Sequence, residues 1–212
     1  MLFLLAAPGA GSETVEAGNR HMSTAQSFET YFHRIENAIK KDNQDELSDA
    51  LIALSISDGV RGENQYPEVV LKRLFEYLTL FQGSSQKGGE SIFQQIIASV
   101  PQLSSEQLRQ VCDHLNLNYG KYIEPNLSWA IAEWVGGCRN SWALDFMEKW
   151  TSDQTPLTAL EGLAAAFDEF VGDVNISYAY SADDALLKRA HELSKKFRLI
   201  LENKKKRSLQ TK

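Results

Sequence analysis

Long hydrophobic runs are missing from these 212 residues: the longest, Leu2 to Ala7, is far shorter than the roughly 20 apolar residues that a membrane-spanning helix needs. Cysteine is scarce. The chain has two, Cys112 and Cys138, too few for a disulfide framework, and both sit in apolar helical patterns, which points to reduced, buried thiols in a cytoplasmic protein. Strand-like alternation of apolar and polar residues is absent from Ser23 onward, which excludes a sheet-based core. An overall basic excess is also lacking, since the net charge is −6, and the 43% hydrophobic and 24% charged fractions are those of a folded globular chain rather than a disordered one.

What charge there is lies unevenly. From Lys188 to Lys212, ten Lys and Arg face only Glu192 and Glu202, a local charge of +8, which leaves −14 for the rest of a chain whose total is −6. An acidic body with a basic C-terminal arm bears on steering and partner choice rather than on fold.

Apolar spacing is helical almost throughout. Phe28, Phe32, Ile35 and Ile39 share one face, and a second helix over Asp45–Ser55 gathers Leu47, Ala50, Leu51 and Leu54. Pro67 opens a third, with Val70, Leu71, Leu74, Leu78 and Phe81 inward, and the Gly- and Ser-rich stretch 83–89 reads as a mobile surface loop. Ile92, Phe93, Ile96 and Ile97 mark a fourth, and Ser104 with Gln107 forms a capping-box signal for a fifth carrying Leu108, Val111, Cys112 and Leu115. A sixth runs from Pro125 to the Gly136-Gly137 pair, a seventh covers Ser141–Trp150, and Thr155-Pro156 opens an eighth. Ser181 caps a ninth that enters the basic arm. The expected fold is all-α with about nine helices.

Helices after the first fall into pairs beginning near residues 45, 91, 126 and 156. In rhythm, though not in any recurring residue signature, this resembles HEAT-like α-solenoids, which implies a right-handed stack of helical hairpins with an extended binding surface. An irregular helical bundle obeys the same packing rules and is the equal alternative.

The domain is expected to span residues 22–203. Residues 1–21 break the helical period and read as a disordered, non-native leader ahead of Met22, and 204–212 read as a disordered basic tail. Within the leader, Ala6 to Thr14 resembles the phosphate loop of nucleoside-monophosphate kinases, but Ser12 stands where the phosphate-binding lysine belongs and no parallel-sheet pattern follows. Asp173, Asn175, Ser177 and Asp184 resemble a calcium loop at alternate positions. Tyr178 replaces its glycine and Asp184 its bidentate glutamate, so no metal site is assigned, and no cofactor.

Four tryptophans, Trp129, Trp134, Trp142 and Trp150, fall within twenty-two residues. Most helical tryptophans belong to the core, yet one or two exposed ones make an interface anchor. Trp142 and Trp150 are the expected exposed pair because Asp145, Glu148 and Lys149 accompany them, whereas Trp129 lies among Leu127, Ile131 and Ala132. The candidate partner-binding residues are therefore Trp142, Trp150, Asp145 and Glu148.

Catalytic signals are thin. His21, His33, His114 and His191 are scattered, and Cys112 and His114, two apart, lie on different helix faces. The sequence is best read as a non-catalytic, cytoplasmic, helical protein-binding module whose acidic body recognises a basic protein partner, either an adaptor or a protein similar in charge and class to the immunity proteins that neutralise cationic toxins. Two alternatives stand beside it. One is an enzyme using Cys112, Cys138 or carboxylates near Asp168 in a cleft; the other is nucleic-acid contact through Lys204-Lys205-Lys206-Arg207, which the acidity of the body disfavours.

Overall fold

The computed structural model describes residues 28–57, 67–172 and 184–210. These form an all-α fold of nine helices: α1 (residues 28–40), α2 (Gln44–Ser55), α3 (Glu68–Thr79), α4 (Gly89–Ser99), α5 (Ser105–Asn118), α6 (Pro125–Gly137), α7 (Ser141–Trp150), α8 (Leu157–Val171) and α9 (Asp184–Gln210). No strand occurs among the described residues. One isolated antiparallel bridge, Gln82 to Tyr122, ties the loop after α3 to the end of a short 3-10 turn, Tyr119–Lys121. The phosphate-loop-like and leader residues, and all but Asp184 of the calcium-loop resemblance, lie outside the described residues.

Helix starts follow local chemistry. Asn43 caps α2 by accepting from the Glu46 amide, and Ser104 and Gln107 form the reciprocal capping box of α5. Asn140 caps α7 at 2.9 Å from the Ala143 amide. At α6 the capping side chain is Glu124, a buried carboxylate that accepts from the Leu127 amide at 2.6 Å, while Pro125 occupies the first turn. The expected stripes are largely the buried ones: Val70, Leu71, Leu74, Leu78 and Phe81 are buried, as are Ile92, Phe93 and Ile96, whereas Ile97 and Ala164 are only partly so.

Helices α6 and α8 form the most intimate pair. Ser128 Oγ reaches the Thr158 carbonyl, and Arg139 reaches the Glu169 carbonyl, at the same thirty-residue separation, so the two helices run in the same direction with α7 returning between them. Two glycines allow the approach. A Cβ on Gly136 would stand 2.4 Å from the Ala166 carbonyl oxygen, and one on Gly162 would stand 2.9 Å from the Ser128 carbonyl oxygen. The seam is also polar at its centre: Tyr119 donates to the Ala159 carbonyl at 2.7 Å and accepts from Ser128 at 3.2 Å, which satisfies groups whose isolation in the core would cost about 1–3 kcal/mol each.

Helices α4 and α6 meet through side chains instead. Phe93 and Trp134 pack edge to face at 6.2 Å, and Leu127 fills the space a side chain at Gly89 would take. Gln86 Nε2 donates to the Ile39 carbonyl at 2.7 Å and the Gly83 amide to the Lys121 carbonyl at 2.7 Å, so the stretch expected to be mobile is held at several points.

The C-terminal arm differs most from expectation. Rather than loosening at Lys204, α9 continues to Gln210 and lies along α7 and α8, with Phe197 against Phe167 at 4.7 Å. Lys204 donates to the carbonyls of Asp153 and Thr155, and Lys205 pairs with Glu161 at 3.2 Å. Cations near a helix C-terminus also complement its dipole, so the basic cluster extends the helix instead of ending it.

Candidate functional site

The tryptophans sort by contacts that spacing alone hides. Trp142 is partly buried between Trp134, at 6.1 Å, and Phe146, at 5.9 Å. Trp150 is partly buried as well, packed on Tyr119 at 5.7 Å and lying across Gly120, where a Cβ would stand 2.5 Å from its ring. The most exposed is Trp129, half of whose surface faces solvent. Its neighbours Leu127 and Ile131 point inward, but position 129 is on the outer stripe of α6, so apolar sequence neighbours were a misleading guide to its face. Asp145 and Glu148 are exposed, yet both bind Arg189 of α9, with Asp145 at 2.8 Å, so the structure uses them to hold the arm.

A different acidic group stands next to Trp129 on α6. One turn along the same face of α6 lies Glu133, and its carboxyl is pushed above its ordinary range by burial first, then by Glu169 of α8 and Glu90 of α4. One carboxyl from each of three helices thus lies within electrostatic reach at Glu133, a set we call the ledge. Among the described residues no Lys or Arg forms a salt bridge with any of the three. The cation nearest Glu133 by sequence, Arg139, is buried and committed to capping α8, donating to the carbonyls of Glu169 at 2.8 Å and Gly172 at 2.7 Å. It holds the left-handed conformation after α6, with φ of 44°, that directs its guanidinium there.

The turn after α4 together with α5, α6 and α7 forms an open-mouthed cavity of about 490 Å³ lined by Val100, Leu108, Cys112, Trp134, Cys138, Asn140 and Trp142. Both cysteines face it, and both are free thiols. Burial pushes Cys112 up to about 11, aided by Asp113, and Cys138 up to about 12, aided by Cys112. Protonated thiols are poor nucleophiles at neutral pH. The only histidine near them in sequence, His114, faces the α3–α5 cleft, where it packs on Phe75 at 4.9 Å and bonds the Tyr122 hydroxyl at 2.8 Å. Burial, with Lys121 adding to it, lowers its pKa. Asp168 is exposed. Among the described residues no three His, Cys, Asp or Glu side chains are placed to hold a metal ion, and no helix is long and apolar enough to cross a membrane.

Sequence reasoning missed the ledge because Glu90, Glu133 and Glu169 belong to three helices and share no local motif. The one signal available was Glu133 standing four residues after Trp129, an aromatic and a carboxylate on one helical face. Comparison of the chain with protein families, curated proteins and solved structures gives no match.

Proposed function

We propose that the protein is a non-catalytic helical binding module whose acidic body recognises a basic protein partner, and that the ledge of Glu90, Glu133 and Glu169 beside Trp129 is the recognition surface. What supports this reading is the raised carboxyl of Glu133: burial first, then the charges of Glu169 and Glu90, disfavour its ionisation, and a Lys or Arg delivered by a partner relieves that cost on binding. Trp129 supplies the large, rigid apolar area that anchors such contacts. The pairing of helices into successive hairpins suits a solenoid-like display of one helix row, and an adaptor or immunity-type role in the cytoplasm fits an acidic body of this kind.

The thiol-enzyme reading has less support, because the cavity that holds both cysteines offers no base and raises both thiols. The nucleic-acid reading weakens as Arg189, Lys204 and Lys205 engage the protein's own surface.

Affinity capture from a lysate of the native host tests the proposal when the intact chain is run beside Trp129→Ala and Glu133→Lys variants shown to be folded by circular dichroism. The expected result is a basic polypeptide retained by the parent chain, released by raised salt and lost from both variants. Retention that is indifferent to both substitutions would contradict the assignment of the surface.

A further inference from the structure

The cavity between α5, α6 and α7 is independent of the acidic ledge and has the character of a small-molecule site. Its volume of about 490 Å³ falls in the range of roughly 300–1,000 Å³ that holds cofactor- and drug-sized ligands. Its walls carry two indole rings, Trp134 and Trp142, set edge to face with centroids 6.1 Å apart. They carry no Lys, Arg, Asp, Glu or His. The ionisable groups that do line it, Cys112 and Cys138, are thiols with values near 11 and 12, neutral at physiological pH. A charged ligand entering such walls would lose hydration with no counter-charge in return, so the chemistry selects a neutral one.

One polar group at the rim adds direction. Asn140, exposed at the mouth, uses its carbonyl oxygen to cap α7, accepting from the Ala143 amide, which leaves its amide NH2 with no protein partner among the described residues and open to solvent or a ligand. A ligand with a single acceptor, such as a ring ketone, meets that donor while its flat apolar body lies against the indoles.

We propose that this cavity binds a neutral, planar aromatic molecule bearing one hydrogen-bond acceptor, held between Trp134, Trp142 and the two thiols and oriented by Asn140. The cavity is lined by α5, by the C-terminal end of α6 and by the start of α7.

The experiment uses the full chain and prodan, a neutral naphthyl ketone whose emission shifts to the blue in apolar surroundings, beside 2-dimethylaminonaphthalene, which lacks the ketone. Prodan is expected to bind saturably with one site per chain and to slow maleimide labelling of both Cys112 and Cys138. Cys112→Phe, which fills the cavity, is expected to weaken prodan by about tenfold or more. Asn140→Asp keeps a capping oxygen and the fold but removes the amide donor. It is expected to weaken prodan by about tenfold while leaving the ketone-free analogue nearly unchanged. The proposal is overturned if prodan shows no saturable shift, if thiol labelling is unaffected at saturation, or if both variants, folded, bind it as the parent chain does. Equal binding of the anionic dye anilinonaphthalene sulfonate at the same site would overturn the requirement for neutrality.

Discussion

Helix α6 meets α4 on one side and α8 on the other, and the two contacts are built on opposite principles. Towards α4 the space is filled by rings and long side chains, with Phe93 on Trp134 and Leu127 over Gly89. Towards α8 the backbones nearly touch, because Gly136 and Gly162 present no side chain where Ala166 and Ser128 approach. A contact made of large side chains is sensitive to what is removed, and one made of glycine is sensitive to what is added. The difference also places function. Close approach of α6 and α8 brings Glu133 within electrostatic reach of Glu169, while the bulk of Trp134 leaning against Phe93 leaves its other side to the cavity shared with Trp142.

The largest effect comes from emptying the wide contact. Phe93 is fully buried, and Phe93→Ala is expected to destabilise the fold by about 4 kcal/mol in urea unfolding. A loss under about 1 kcal/mol would mean that the rings do not carry this contact. Next comes overfilling of the close one. Gly136→Ala places a methyl 2.4 Å from a backbone oxygen that cannot rotate away, for an expected loss of about 2–3 kcal/mol. Its neighbour sharpens the comparison. Gly137, with nothing within 4 Å of a built Cβ, is expected to gain about 0.5 kcal/mol when changed to alanine, through helix propensity alone. Equal effects at the two glycines would remove the distinction between the contacts.

The smallest effect has the most informative sign. Folding raises the Glu133 carboxyl, so the folded state favours the protonated form; that contribution is fully present below the unfolded carboxyl pKa and is lost as pH rises through the raised folded value. Glu133→Gln is therefore expected to raise the melting temperature at neutral pH and to make no difference in acid. A melting curve lowered at neutral pH would show that the ionised carboxyl has a favourable partner instead.

Much of this architecture was legible because it is local. The capping box at Ser104 and Gln107, the proline at Pro125 and the stripe from Val70 to Phe81 are each written within one or two helical turns. What escaped was non-local. Nothing near Arg139 announces that its side chain caps a helix thirty residues on, and Lys204 looks like part of a solvated run until the carbonyls of Asp153 and Thr155 stand beside it. Trp142 and Trp150 looked more exposed than Trp129 because charges accompany them in sequence, yet Arg189 arrives from α9 to meet those charges. The ledge needed three helices to be placed before its carboxylates became neighbours.

The most direct measurement is a carboxyl NMR titration of Glu133 in the intact chain, alone and with a saturating decalysine peptide standing in for a basic partner. The account predicts a midpoint above the ordinary glutamate range in the free chain that falls when the peptide is bound. An ordinary midpoint in the free chain, or one unmoved by bound peptide, would contradict the assignment of the ledge as the recognition surface.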